Sequence, residues 1–159
     1  MRRWTICEGN GMEVQSDFKE LLVLFNEHKV EYLIVGGYAL AFHGAPRYTG
    51  DMDILVRPDT KNALSILTAL KKFGFGSVDL TVADFEKPDT VIQLGVPPVR
   101  IDIITSLTGV SWQDALGGRV KGKYGNIQVY YIGREQFISN KRAVGRKKDL
   151  ADIEALGAE

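Results

Sequence analysis

The segment Tyr32–Val56, YLIVGGYALAFHGAPRYTGDMDILV, decides the expected fold. It begins with a short, nearly continuous apolar run, which is typical of a strand that is buried on both faces. Gly36 and Gly37 follow, and YALAFHG then has the length and ending of a helix of about two turns. A second apolar strand begins at Asp51 and Asp53. The segment therefore predicts a strand, a helix and a second strand that starts with two carboxylates.

The rest of the chain continues this alternation of helix and strand. SDFKELLVLFNEHK, with Ser16 or Asp17 as its expected N-cap, and KNALSILTALKKFG have apolar residues at helical spacing. TVIQLGV and VRIDIIT are predicted strands, SWQDALGG is a predicted short helix, and GRVKGKYGNIQVYYI is predicted to form two strands joined by a turn. REQFISNKRAVG and KKDLADIEALGA are predicted helices. Because no repeat or linker interrupts this order, we predict a mixed α+β fold with residues 13–159 as one domain.

The composition indicates which partners the charge of the chain would attract and which cellular compartment suits it. The 159 residues include 20 basic and 20 acidic side chains, so no net charge attracts nucleic acid or a membrane surface. Cys7 is the only cysteine, which excludes an internal disulfide and suits a reducing compartment. No apolar run approaches the roughly 18 to 20 residues of a membrane span. We expect a cytoplasmic protein in which residues 1–12, which lack periodicity, are a disordered extension.

The carboxylates form the first candidate site. Asp51 and Asp53 share one face of their strand because side chains alternate between faces, and Asp102 is the sole acid of VRIDIIT. If the two strands are neighbours, three acids meet, and like charges ~4 Å apart repel by about 4 kcal/mol at an effective dielectric constant near 20. A cation is then required, and carboxylate oxygens suit Mg²⁺ or Mn²⁺ better than zinc. The alternative is a turn cap at Asp51 and a solvent-edge position for Asp53.

Gly36 and Gly37 form the second candidate site. Glycines between a buried strand and a helix allow backbone amides to approach a phosphate. The alternative is a steric need for close packing of the helix against the strand.

The glycine pair, the two aspartates and the later aspartate follow one another along the chain in the order found in the nucleotidyltransferase superfamily that includes DNA polymerase beta. Within it, they resemble the small bacterial nucleotidyltransferase-like proteins. Gly36 and Gly37 resemble its glycine-rich loop, Asp51-Met52-Asp53 its metal-binding Asp-x-Asp, and Asp102 its third carboxylate. NKRAVGRKKDLADIEAL resembles its C-terminal helix region, so the likeness runs from about Glu31 onward. The resemblance implies a minimal nucleotidyltransferase fold, with a central mixed sheet flanked by helices.

The resemblance also implies a reaction. Asp51, Asp53 and Asp102 would hold two Mg²⁺ ions, or Mn²⁺, and Asp102 would help to deprotonate an acceptor hydroxyl. Gly36 and Gly37 would hold the β- and γ-phosphates of a nucleoside triphosphate, with ATP as the expected substrate. A nucleoside monophosphate would then pass to a hydroxyl on a protein, an RNA or a small molecule.

Two departures from the superfamily pattern favour a second hypothesis. Many active members have Gly-Ser where this chain has Gly36-Gly37, so a phosphate-binding hydroxyl is missing. The chain also lacks room for the extra substrate-binding domain of larger members, so the acceptor would bind a small surface, a second copy of the chain or a partner protein. The alternative function is therefore a catalytically weak or inactive interaction module, such as an antitoxin-like protein of a toxin–antitoxin pair.

Four further residues are candidates for nucleotide binding. Arg47 and Thr49 lie just before the acidic pair, and Lys141 and Lys147 lie in the densest basic cluster, where they would offset the charge of a triphosphate. The alternatives are an exposed loop arginine, an ordinary turn threonine and a solvated helix face. The basic cluster also leaves open the binding of single-stranded nucleic acid, against which the neutral overall charge counts.

Overall fold

The structure, a computed structural model, describes residues 4–6, 13–46, 49–75, 79–96 and 99–158. The strands in these ranges are β1 Trp4–Ile6, β2 Glu13–Gln15, β3 Tyr32–Val35, β4 Asp51–Val56, β5 Val91–Val96, β6 Val99–Ile104, β7 Val120–Tyr124 and β8 Ile127–Tyr131. The helices are α1 Ser16–Glu27, α2 Gly36–Phe42, α3 Thr60–Leu70, α4 Val82–Glu86, α5 Trp112–Gly117, α6 Arg134–Val144 and α7 Lys147–Ala155. A π-helical turn, Lys71–Phe75, continues α3.

Six strands form the central mixed sheet, in the order β5-β6-β4-β3-β8-β7. Strand β4 lies between β3, to which it is antiparallel, and β6, to which it is parallel. Strand β8 is parallel to β3, and the two edge strands are antiparallel to their neighbours. The predicted α+β fold with a mixed sheet and flanking helices is therefore confirmed, and the strand that begins with two acids lies near the centre of the sheet.

Helices α1 and α2 pack on one face of this sheet through aromatic side chains. Phe18 of α1 meets Tyr38 of α2 edge to face at 5.9 Å, and Tyr38 meets Tyr124 of β7 in the same way at 5.6 Å. Phe42, at the end of α2, stacks on Tyr131 of β8 at 4.1 Å. These contacts fix α2, and with it the glycines at its start, against the sheet. No helix in the described ranges is both long enough and apolar enough to cross a membrane.

The start of α1 differs from the sequence prediction. Its N-cap is Gln15, and neither Ser16 nor Asp17 fills that position. The Gln15 side-chain oxygen accepts hydrogen bonds from the amides of Asp17 at 2.5 Å and Phe18 at 3.3 Å. Gln15 is buried, and its own amide donates to the Tyr124 hydroxyl at 2.7 Å. The prediction was wrong because a buried glutamine reaches the amides that a serine or aspartate usually caps.

The segment 1–12, predicted to be a disordered extension, contains strand β1. Residues 4–6 pair antiparallel with β2, with Thr5 opposite Val14. Aromatic and β-branched residues such as those of β1 favour strands, and the pairing supplies partners for their backbone groups. Residues 1–3 and 7–12, with Cys7, lie outside the described residues.

A buried carboxylate joins α7 to α6. The Asp149 side chain is fully buried, and its oxygens lie 2.7 Å from Arg146 Nε and 3.3 Å from Lys141 Nζ. The Arg146 amide also donates to it, at 3.1 Å. The hydrogen bond from the Arg146 side chain is the main cause that lowers the pKa of Asp149 to about 2. Lys141 is therefore fixed by α7, and it lies 3.5 Å from a second acid there, Asp152.

The Asp149→Asn substitution should lower the free energy of unfolding by about 1–3 kcal/mol at pH 7, because Arg146 and Lys141 lose the anion that they bind. The folded pKa of about 2 lies below the unfolded value of about 3.9, so this stabilisation is present above the unfolded pKa and is lost as the pH falls towards 2. Urea denaturation of both proteins from pH 7 down to pH 3 measures the difference.

A matched control is Asp84→Asn in α4, where Asp84 accepts from the amide of its N-cap residue Thr81 in an exposed position. This substitution should cost less than about 1 kcal/mol, since water replaces the lost interaction. A loss at Asp149 that stays constant from pH 7 to pH 3 would contradict the assigned role of its charge.

Candidate functional site

The three candidate acids lie on one face of two paired strands. In the register of β4 with β6, Asp53 is opposite Asp102 and Asp51 is opposite Arg100. Residues two apart on a strand share a face, and residues that are opposite each other in neighbouring strands point the same way. The side chains of Asp51, Asp53 and Asp102 therefore converge, and the expected adjacency of the two acidic strands is confirmed.

Arg100 binds two of these acids, and sequence reasoning had given it no role. Its Nη2 atom lies 2.7 Å from Asp51 Oδ2, and its Nε atom lies 3.1 Å from Asp102 Oδ1. Nη2 also donates to the other oxygen of Asp102 at 3.2 Å. Asp102 is only 8% exposed, so this pairing supplies the counter-charge that a buried carboxylate needs. The spacing in Arg100-Ile101-Asp102 was the available signal, because it places both side chains on one face.

Asp53 shares its strand with Asp51 and lies opposite Asp102 in the neighbouring strand. Burial raises the pKa of Asp53 to about 6, and the negative charges of Asp102 and Asp51 add to this effect. The positive charges of Lys141 and Arg100 act in the opposite direction. The pKa of Asp53 thus reflects burial first and the charges of the neighbouring acids second.

Gly36 brings bare backbone against this cluster. Its φ of +67° lies in the left-handed region, and a Cβ atom at this position would overlap the Asp53 carboxylate. The amide groups at the start of α2 thus lie beside the acids without a side chain between them. The steric explanation of this glycine is correct, since a side chain at position 36 would collide with the Asp53 carboxylate.

Gly37 packs against Thr49. A Cβ atom at Gly37 would lie 2.8 Å from Thr49 Oγ1 and 2.9 Å from Thr49 Cβ. The Thr49 hydroxyl donates to the backbone oxygen of Asp51 at 3.1 Å. The space that a serine side chain at position 37 would need is therefore filled by a hydroxyl that comes from the loop before β4.

The predicted cationic residues have different positions. The positive charge of Lys141 opposes the rise in the pKa of Asp53. Its ammonium group also binds Asp149 and Asp152. Lys147 is exposed in the first turn of α7, and none of the described contacts joins it to the acids. Arg47 lies outside the described residues. The structure therefore brings Thr49 and Lys141 to the site.

The donor atoms suit a hard divalent cation, although a guanidinium group already lies among them. In the part of the chain that the structure describes, no three His, Cys, Asp or Glu side chains are grouped to hold a metal ion. Carboxylate oxygens on one face are the ligands that Mg²⁺ and Mn²⁺ prefer. The guanidinium of Arg100 lies between Asp51 and Asp102, where a cation would otherwise balance their charge.

Solved nucleotidyltransferase structures have the same fold. TM1012 of Thermotoga maritima, assigned as a nucleotidyltransferase, aligns with a TM-score of 0.59 and 14% identity over 86% of this chain and 88% of that one. The antigenic nucleotidyltransferase-like protein of Paracoccidioides brasiliensis aligns with a TM-score of 0.52 and 20% identity over 95% of this chain and 75% of that one. The chain has the nucleotidyltransferase fold.

A third structure with the nucleotidyltransferase fold is that of the lincosamide antibiotic adenylyltransferase LnuA, bound to lincomycin. It aligns with a TM-score of 0.53 and 14% identity over 89% of this chain and 95% of that one. By sequence alone, the chain matches no family model and no curated protein. The fold that the glycine and aspartate motifs predicted is therefore confirmed by structure.

Gly36→Ala should lower the free energy of unfolding by about 2–4 kcal/mol, because left-handed strain adds to the overlap with Asp53. The matched control is Gly44→Ala, where φ is +106° but nothing lies within 4 Å of the added Cβ atom. The control should lose only about 1–2 kcal/mol from backbone strain. Urea denaturation of the two variants gives the comparison, and equal losses would mean that Asp53 does not press against the backbone of Gly36.

Proposed function

We propose that the protein is a Mg²⁺-dependent nucleotidyltransferase that transfers a nucleoside monophosphate from a nucleoside triphosphate to a hydroxyl group. The observation that carries the proposal is the convergence of Asp51, Asp53 and Asp102 beside the bare backbone of Gly36. The neighbouring structures support the reaction class, since LnuA is an adenylyltransferase. That name also supports ATP as the nucleotide.

The acids and the glycines have separate roles in this proposal. Asp51, Asp53 and Asp102 would hold two Mg²⁺ ions, with Mn²⁺ as a substitute, and the bound ions supply positive charge to the attacking and leaving oxygens. The amides of Gly36 and Gly37 would donate to the β- and γ-phosphates, since glycine has no side chain of its own beside its backbone amide. Each set of residues thus positions one part of the triphosphate.

In the transfer step, the acceptor hydroxyl oxygen forms a bond to the α-phosphorus. The bond from that phosphorus to the oxygen that bridges to the β-phosphate breaks, and pyrophosphate leaves. Asp102, which lies opposite Asp53 in the neighbouring strand, would accept the proton of the hydroxyl. The chain's contribution is to orient the reactants and to balance their charge.

The remaining polar candidates would bind the triphosphate. Thr49 would donate its hydroxyl to a phosphate oxygen, and Lys141, whose charge already acts on Asp53, would offset negative charge. Arg47 and Lys147 stay predictions of the same kind. The acceptor would be a protein, an RNA or a small molecule, bound with the help of a partner protein or a second copy of the chain. One domain over residues 13–159 and a cytoplasmic location belong to the same proposal.

A second candidate function is an inactive interaction module, such as an antitoxin-like partner. The observation that favours it is the pairing of Asp51 and Asp102 with Arg100, which offsets part of their negative charge without a metal ion. Such a module would bind neither Mg²⁺ nor ATP at these acids. Nucleotide binding and transfer therefore separate the two candidates.

The double substitution Asp51→Asn and Asp53→Asn should reduce transfer at least about 100-fold, because two anionic ligands are lost while the shape is kept. The assay follows α-labelled ATP with Mg²⁺ in cell extract, which supplies the unknown acceptor. Asp59→Asn and Asp84→Asn, both far from the acidic face, serve as matched charge controls. Labelling that is unchanged in the double variant, or absent from the parent with no heat on ATP titration, would reject the proposal.

Thr49→Val should weaken Mg²⁺-ATP binding about three- to tenfold, because it keeps the shape against Gly37 but removes the hydroxyl donor. Thr49→Ser keeps the donor and should bind within about twofold of the parent. Isothermal titration calorimetry measures both affinities. If valine and serine bind ATP equally well, Thr49 packs against the glycine without contacting the nucleotide.

A further inference from the structure

Among the described residues, Arg100 is the basic side chain that forms ion pairs with the acidic face. Its guanidinium contacts Asp51 at 2.7 Å and Asp102 at 3.1 and 3.2 Å, so one planar group bridges carboxylates on two strands. The Arg100 side chain is 29% exposed, and the Asp102 side chain is 12% exposed. The pairing is therefore partly shielded from water, where a charge-assisted bidentate contact is strong.

A divalent cation and this guanidinium require the same oxygen atoms. Mg²⁺ binds carboxylate oxygens at about 2.0–2.1 Å and demands octahedral geometry. The Asp51 oxygen on Arg100 and both oxygens of Asp102 are already used as hydrogen-bond acceptors. Adding a divalent ion beside the guanidinium would also place two positive groups in contact. Binding of the divalent cation to these oxygen atoms therefore opposes binding of the guanidinium, and the reverse is also true.

We propose that Arg100 is an internal counter-ion that competes with the divalent cation for Asp51 and Asp102 and must leave them before the cation binds. The inference rests on the proposed function, because it concerns the same acids. In the metal-free protein, Arg100 keeps the buried Asp102 paired, and the cation takes over that role when it displaces the guanidinium.

The displaced guanidinium needs a new partner, and the chemistry of the substrate provides one. Phosphate oxygens accept hydrogen bonds from arginine in the same two-point geometry as a carboxylate. A triphosphate that arrives with the cation would therefore stabilise the open position of Arg100. Cation binding and nucleotide binding are then positively coupled through this side chain, and each strengthens the other by the same factor.

The test is titration with Mn²⁺ alone, followed by the electron paramagnetic resonance signal of free Mn²⁺. Arg100→Gln should bind Mn²⁺ at least about fivefold more tightly than the parent, since the competing guanidinium is gone. The matched control is Arg57→Gln, because Arg57 bridges Glu31 at 3.2 Å and Asp59 at 2.9 Å just beyond the opposite end of β4. The control removes an equal charge and should leave the Mn²⁺ affinity unchanged.

A non-hydrolysable ATP analogue tests the coupling. It should raise the Mn²⁺ affinity of the parent about tenfold, and it should raise that of Arg100→Gln by a clearly smaller factor. Arg100→Lys keeps a positive charge without the planar fork and should bind Mn²⁺ with intermediate affinity. This variant also keeps the experiment decisive if the glutamine variant fails to fold, as judged by circular dichroism.

Failure of this inference differs from failure of the proposed function. If Asp53→Asn abolishes Mn²⁺ binding in the parent but neither Arg100 variant binds more tightly, the metal site stands and the competition by Arg100 is rejected. An equal gain in Arg57→Gln would also reject it, since the effect would then be one of general charge. If neither the parent nor Arg100→Gln binds Mn²⁺, both the inference and the metal-dependent function are overturned.

Discussion

The mutual repulsion of three carboxylates on β4 and β6 is the constraint on which the rest of the site depends. Backbone pairing places Asp53 opposite Asp102, and alternation adds Asp51 to the same face. Neither strand can rotate its acid away without breaking the register that buries its apolar neighbours. Positive charge must therefore be present in every state of the protein, and Arg100 supplies it in the structure.

The second constraint is the space at the start of α2. The aromatic contacts of this helix hold it close to the sheet. Gly36 therefore lies so close to Asp53, and Gly37 so close to Thr49, that neither position has space for a Cβ atom. Position 37 is therefore glycine for a local reason, since Thr49 fills the space that a side chain there would need. The absence of serine follows from the loop before β4 and does not by itself indicate a lost activity.

Much of the fold was readable from local patterns, because apolar periodicity and glycine positions are properties of short segments. The elements that carry the site and the shared face of Asp51 and Asp53 were predicted in this way. The bond of Arg100 to Asp51 was not predicted, because it depends on the register of two strands that are not adjacent in the chain. Local pattern does not specify that register.

Other features that the local sequence did not specify have similar physical causes. Strand β1 is three residues long and depends on its partner, so its sequence shows little periodicity. The N-cap at Gln15 depends on burial against Tyr124, a residue far along the chain. The sequence around Lys141 indicates only a basic residue on a helix, and it does not show that Asp149 of α7 binds this side chain. In each case a contact with a residue outside the short segment decided its structure.

The pairing of β4 with β6 has a consequence for how the molecule acquires its site. The first two acids and the glycines are synthesised together, whereas the third acid emerges from the ribosome much later, after α3 and α4. Until β6 docks, a nascent or truncated chain holds an edge strand with two carboxylates and neither the third acid nor its arginine. The acidic face, with all three carboxylates and Arg100, is therefore complete only after β6 has paired with β4.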